Sequence, residues 1–181
     1  MRRSWTVIGF VCVALGATAC SWVNEKNPFG TKKTTAGSTL PKRAQYALNN
    51  QYNYKMWSPA ELDPQVASCS GSVAPTLTVT ADLDGDGQAD ISTGVKTADG
   101  VKLVALLRRG EEYKVVEIEP LGAGQVPVSL GLEKRGVRYE NPVDLTYDFY
   151  AANTLATYKC GKPTAAYIWS GLVFRKVPLT K

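Results

Sequence analysis

Nine residues, Asp82-Leu83-Asp84-Gly85-Asp86-Gly87-Gln88-Ala89-Asp90, place four carboxylates and two glycines between two β-branched runs. Counted from Asp82, carboxylates stand at positions 1, 3, 5 and 9, glycine at 6, and Gln88 at 7, where a backbone carbonyl would serve as ligand. Alternating oxygen donors about a sharp glycine turn suit a hard cation such as Ca²⁺, which takes six to eight oxygens at about 2.3 to 2.6 Å. Two carboxylates about 5 Å apart repel by roughly 1 to 3 kcal/mol at effective dielectrics from bulk water down to 20, and a divalent ion turns that repulsion into attraction. The alternative is a solvated Asp/Gly hairpin turn with no ion. An ion held here is expected to pin two strands together rather than to catalyse.

An EF-hand would need a bidentate Glu at position 12, and Thr93 stands there between strand-like flanks. The stretch "TVTADLDGDGQADIS" instead resembles the D-x-D-x-D-G-x-x-D loop of FG-GAP and VCBS-type repeats, which links two β-strands, and the match includes Ile91 directly after the last Asp. A propeller would repeat the motif in every blade, whereas here it occurs once. The chain is more similar to small envelope proteins with a single such loop, followed by β-meander strands and an aromatic-basic terminal strand, here "YIWSGLVFRKV". The resemblance implies Ca²⁺ held by Asp82, Asp84, Asp86, Gln88 and Asp90, and it implies no reaction.

Other chemistry is thin. The chain has no histidine, which removes Ser-His-Asp and Cys-His catalysis and most zinc sites. Asp144 and Asp148, beside Tyr147 and Tyr150, are the pair that a glycosidase could use, but a surface segment carries such residues far more often. Tyr46, Tyr52, Tyr54 and Trp57, and later Tyr147, Phe149, Tyr150, Tyr158, Tyr167 and Trp169, offer area for protein or glycan contacts; the plainer expectation is that most pack the core.

The elements that must position the loop begin after an export signal. "MRRSWTVIGFVCVALGATAC" has two arginines, an apolar run from Trp5 to about Leu15 that is too short to span a bilayer, and small residues up to Cys20. The site resembles a bacterial lipobox with Ala17 where Leu is usual; Ser21 after the cysteine implies outer-membrane sorting in that family pattern. We therefore expect residues 1–19 to be removed, Cys20 to carry lipid, and residues 20–40, rich in Thr, Lys, Gly, Asn and Ser, to form a flexible tether. Loss of Arg2 and Arg3 lowers the formal charge from +5 to +3, which is no evidence for nucleic acid binding. Cys12 leaves with the signal, so Cys69 and Cys160 remain as a pair in an oxidising compartment. A disulfide between them would close a loop of about 90 residues and contribute roughly 4 kcal/mol by chain entropy; two buried thiols are the alternative.

Residues 41–181 read as one domain, α+β and mostly antiparallel β, with the calcium loop between two strands of a β-meander. One or two short helices come first. Pro41 can open one with Ala44, Leu48 and Tyr52 on a common face, and Ser58-Pro59-Ala60-Glu61 has a capping-box pattern that Pro64 would cut short. Strands are predicted at 76–81, 91–97, 101–109, 113–121, 136–143, 165–171 and 172–179, with a type I′ turn at Asp99-Gly100 and another hairpin turn at Gly110-Glu111. "YKVVEIE" alternates, so one of its faces should be solvated. The functional expectation is a non-enzymatic Ca²⁺-binding lipoprotein on the periplasmic face of the outer membrane, binding an envelope protein or glycan. An inhibitor or immunity protein, and an envelope hydrolase, are the alternatives.

Overall fold

A computed structural model describes residues 33–34, 40–58, 60, 62–69, 76–122, 129–140 and 146–179. The signal, Cys20, most of the tether, Asp144 and the side chain of Cys69 lie outside the described residues. In chain order the elements are β1 (Lys33–Thr34), α1 (Lys42–Gln51), β2 (Lys55–Met56), α2 (Pro64–Cys69), β3 (Thr78–Ala81), β4 (Asp90–Thr97), β5 (Gly100–Arg109) and β6 (Glu112–Gly122). There follow β7 (Ser129–Glu133), β8 (Arg138–Glu140), β9 (Tyr147–Phe149), β10 (Thr154–Lys159), β11 (Lys162–Trp169) and β12 (Phe174–Pro178). The protein is mostly antiparallel β.

The first sheet has the order β1-β3-β4-β5-β6, with β2 pairing with β4 beyond the end of β3. The second has the order β12-β11-β10-β7, and β8 pairs with β9 as a separate ribbon. Alternation along the strands explains how these layers stack. On β5, Val101, Leu103, Ala105 and Leu107 face a core shared with Leu130, Leu155, Ala165, Tyr167 and Phe174 of the second sheet, while Val104 and Leu106 face the other way, toward α1. Likewise β11 sends Tyr167 inward and Ala166 outward, where Tyr139 and Tyr150 of the ribbon region cover it as a stacked ring pair. The layers therefore run α1, first sheet, second sheet, ribbon.

Pro41 fixes φ at −53° and its carbonyl accepts the Gln45 amide at 3.0 Å, which starts α1. Ala44 and Leu48, four residues apart, are fully buried, and burying Leu48 contributes about 2 kcal/mol. Tyr52 at the helix C-cap donates to Glu117 Oε2 at 3.0 Å, and the same oxygen accepts from Lys102 at 2.9 Å, tying the helix end to β6 and β5. Because α1 covers Tyr113 and Val115 while Val116 and Ile118 face the inter-sheet core, β6 is packed on both sides instead of presenting a solvated face. The cover that α1 lays on it is what changes the expected pattern.

Two other local expectations are corrected, and Pro59 and Glu61 of the capping-box pattern lie outside the described residues. The second helix starts at Pro64, whose missing N–H costs nothing at the first helical position, and Asp63 Oδ1 accepts the Gln65 amide at 2.8 Å as the cap. The β4–β5 hairpin turns at Ala98-Asp99, since Thr97 pairs with Gly100; positive φ falls only on Gly100, at 117°, so the turn is not type I′. An arrangement with positive φ at both central residues occurs instead at Cys160 (φ 52°) and Gly161 (φ 76°), between β10 and β11. Cys160 is disulfide-bonded. Trp57 lies across Gly94, where any Cβ would collide with the indole, and its Nε1 donates to the Leu77 carbonyl at 2.8 Å.

Candidate metal centre

The acidic loop joins β3 to β4, which pair from Ala81↔Asp90 to Thr78↔Thr93, so both ends of the loop are held in the first sheet. Gly85 and Gly87 take φ of 83° and 85°, conformations that a side chain would strain, and they let the loop curl back on itself. Asp82 closes the curl: Gly85 N–H donates to its Oδ1 at 2.7 Å and Gly87 N–H to its Oδ2 at 3.1 Å. Asp84 Oδ1 accepts the Asp86 amide at 3.2 Å, and Asp86 Oδ1 accepts the Gln88 amide at 2.8 Å. Every second residue thus turns a carboxylate inward. Asp82, Asp84 and Asp86 each bring one oxygen within 4.8 Å of the others, and this group could hold a metal ion.

Gln88 and Asp90 stand differently. The Gln88 side chain is spent on cross-links, with Nε2 donating to Asp86 Oδ2 at 3.1 Å and Oε1 accepting the Gly110 amide at 3.0 Å. Asp90 is fully buried; its Oδ2 accepts the Leu83 amide and its Oδ1 the Arg108 amide, each at 2.8 Å. It fastens the loop to β5. Burial pushes its carboxyl up to about 6, against the pull of those two amides and with a further push from Asp84 and Asp86.

One partner of the loop comes from outside it. Arg109, at the end of β5, donates Nη2 to Asp84 Oδ2 at 2.5 Å and Nη1 to Asp86 Oδ2 at 2.9 Å. Its guanidinium is held further in the charged form by the bond to Asp84 and the field of the three acidic neighbours Asp84, Asp86 and Asp90. The signal was present as Arg108-Arg109-Gly110 at the hairpin turn, but only strand pairing carries that turn across 25 residues to Asp84. One cation faces three converging carboxylates, so the group keeps an excess of negative charge.

The remaining sites are ordinary. Asp148 is exposed, its Oδ2 accepting from Tyr139 at 3.4 Å and its Oδ1 from its neighbour Phe149 at 2.7 Å. Trp57, Tyr150 and Tyr167 are core residues, Tyr52 and Tyr54 pack beside α1, and Tyr46, Tyr147 and Phe149 are exposed. Among the described residues no helix is long and apolar enough to cross a membrane. In comparison with known proteins the chain matches no family model, no curated protein and no solved structure.

Proposed function

We propose that this chain is a Ca²⁺-binding envelope lipoprotein, anchored through Cys20 to the periplasmic face of the outer membrane, whose domain binds an envelope protein or glycan and has no enzymatic activity. The observation that carries the ion is the convergence of Asp82, Asp84 and Asp86 in a loop held at both ends by paired strands. Oxygen-only donors with net negative charge favour a hard cation. The Gln88 backbone carbonyl and water would add to these three once Arg109 is displaced, while Asp90 fastens the loop to β5. Cys69 is the proposed partner of Cys160. The absence of histidine keeps a hydrolase as the weaker alternative.

A second reading is favoured by Arg109: the guanidinium already bridges Asp84 and Asp86, so the loop can be an internally neutralised turn. Titration calorimetry with CaCl₂ decides between them. Saturable heat that Asp86→Ala abolishes supports the ion site; none at millimolar calcium leaves the arginine-neutralised turn. The anchor is tested separately, since Cys20→Ser should abolish fatty-acid labelling and release the domain as a soluble periplasmic protein. A wild type that takes up no label and fractionates as soluble would refute the anchor.

A further inference from the structure

Strand pairing gathers several loops at one end of the two-sheet stack. Ala81↔Asp90 puts the acidic loop there, and Thr154↔Glu133 with Leu155↔Tyr167 puts the 134–137 turn, residues 151–153 and the Ser170–Val173 turn at one end of the second sheet. Ala152 lies beside Gly85, so the two sheets share this end. Most exposed large apolar side chains of the described residues belong to this end or to the ribbon that begins there: Val137, Tyr147, Phe149, Leu172 and Val173. Leu172 is 77% exposed at the apex of the β11–β12 hairpin, and Phe149 pairs in register with Arg138.

The turn that leads into the ribbon is basic, while Glu140 and Asp148 further along the ribbon carry the opposite charge. Lys134 and Arg135 are exposed in the turn, Arg138 stacks over the Tyr147 ring at 3.6 Å, and none of the ion pairs among the described residues engages any of the three. The direction of the chain agrees. Because β1 runs antiparallel to β3 with Lys33↔Val79 and Thr34↔Thr78, the chain enters β1 from this end. Cys20 precedes Lys33 by 13 residues, a reach of at most about 45 Å.

We propose that this end is a docking surface for an anionic phospholipid bilayer, with the Leu172–Val173 turn entering the interface and Lys134, Arg135 and Arg138 meeting headgroups. Apolar apex, flanking aromatics and basic residues are the combination that binds such an interface, each cation adding to the attraction. Leu172 and Val173 offer a sugar no stacking face and Arg138 already covers the Tyr147 ring, which leaves Phe149 alone at this end, and a hairpin tip is narrow for the roughly 800 Å² per partner of a stable protein interface. The acidic loop at this end and Glu140 and Asp148 of the ribbon oppose docking, and Arg109 offsets part of it. Calcium bound there should strengthen docking. Only the direction of the anchor rests on the lipoprotein reading; the surface itself does not.

The test uses the full chain carrying Cys20→Ser, mixed with phosphatidylcholine vesicles with or without phosphatidylglycerol, each doped with a phospholipid bearing a diazirine in its acyl chain. After photolysis, mass spectrometry should find adducts on residues 170–173 and on Phe149, roughly tenfold more with phosphatidylglycerol. Leu172→Asp with Val173→Asp should remove them, and Lys134→Gln with Arg135→Gln should lower them to the zwitterionic level; both pairs are exposed, and an unchanged melting curve shows that they fold. Adducts confined to residues 5–15, labelling indifferent to Leu172→Asp and Val173→Asp, or displacement of the vesicles by peptidoglycan would overturn the proposal. Fatty-acid labelling of wild type judges the anchor by itself, so the two ideas fail separately.

Discussion

Glu119 and the Asp82–Asp90 loop both carry negative charge at the margin of the same inter-sheet core, yet they settle it in opposite ways. Glu119 on β6 is one carboxylate with two donors from the second sheet: the Tyr167 hydroxyl on Oε1 and Lys176 Nζ on Oε2 at 2.8 Å. Tyr158 makes a similar bond to Glu133 at 2.6 Å between β10 and β7. Burial and these carboxylates raise both tyrosines well above their usual range, so they stay neutral and donate. In the loop the ratio reverses, with three carboxylates sharing one guanidinium. A balanced cluster clamps two sheets; an unbalanced one keeps room for a further cation.

Substitutions should separate the two. Tyr167→Ala empties a fully buried ring site and leaves Glu119 with Lys176 alone, so it should cost about 3 to 5 kcal/mol in urea unfolding, equally with calcium and with chelator. A calcium-dependent cost would show the clamp and the loop to be coupled. Next in size, calcium at 100 times its dissociation constant should raise stability by about 2.7 kcal/mol, and Asp86→Ala should erase that gain while leaving the chelated protein no less stable. Calorimetric scans with and without chelator measure both.

The pH responses should also diverge. Asp90 binds its proton more tightly folded than unfolded, so in chelator its contribution grows as pH falls through about 6 and is lost as pH rises back through that value. Between pH 7 and 5 the gain should be on the order of 1 kcal/mol, and Asp90→Asn should flatten it; an identical slope in that variant would assign the effect elsewhere. The tyrosine clamps respond on the alkaline side. Their raised folded values mean that stability is intact below pH 10 and falls as the unfolded tyrosines ionise above it. Smallest of all, Arg109→Gln should weaken the chelated protein by about 1 kcal/mol and tighten calcium binding roughly fivefold, because the guanidinium is half-exposed and screened, although the Asp84 side chain is buried, and it competes directly for Asp84 and Asp86. Unchanged affinity would mean that calcium and the guanidinium do not share these oxygens.

Much of this arrangement is legible in residues whose partners are close in sequence. Ala44 and Leu48 announce α1, and the glycine at Gly110 announces the turn between β5 and β6, where its φ of 64° at the first central position is that of a type II′ turn. The strands β1, β2, β7, β9 and β10 were not predicted, and β1 ties part of the expected tether to β3. β10, "TLATYK", buries Thr, Leu, Ala and Thr in succession, so alternation is absent, and β7 accommodates Gly131 only because the Tyr158 ring lies over it. Pro64 reads equally as a helix stop and a helix start, and only the Asp63 cap decides. In the loop, the curl of Asp82, Asp84 and Asp86 follows from their spacing; the separate duty of Asp90 and the arrival of Arg109 follow from β4–β5 pairing, which no local pattern encodes.

The packing of α1 against Tyr113 and Val115 has a consequence in time. A helix of ten residues is marginal by itself in water, and its apolar face finds cover on β4, β5 and β6, strands that begin roughly 40 residues further along. During synthesis that face emerges first and waits, whereas the meander of β4, β5 and β6, joined by two-residue turns, can close within microseconds of leaving the ribosome. At an elongation rate of about 5 to 20 residues per second, the wait lasts some seconds. The N-terminal third is therefore the part of this chain that a chaperone has longest to meet, and the meander is the template that ends the encounter.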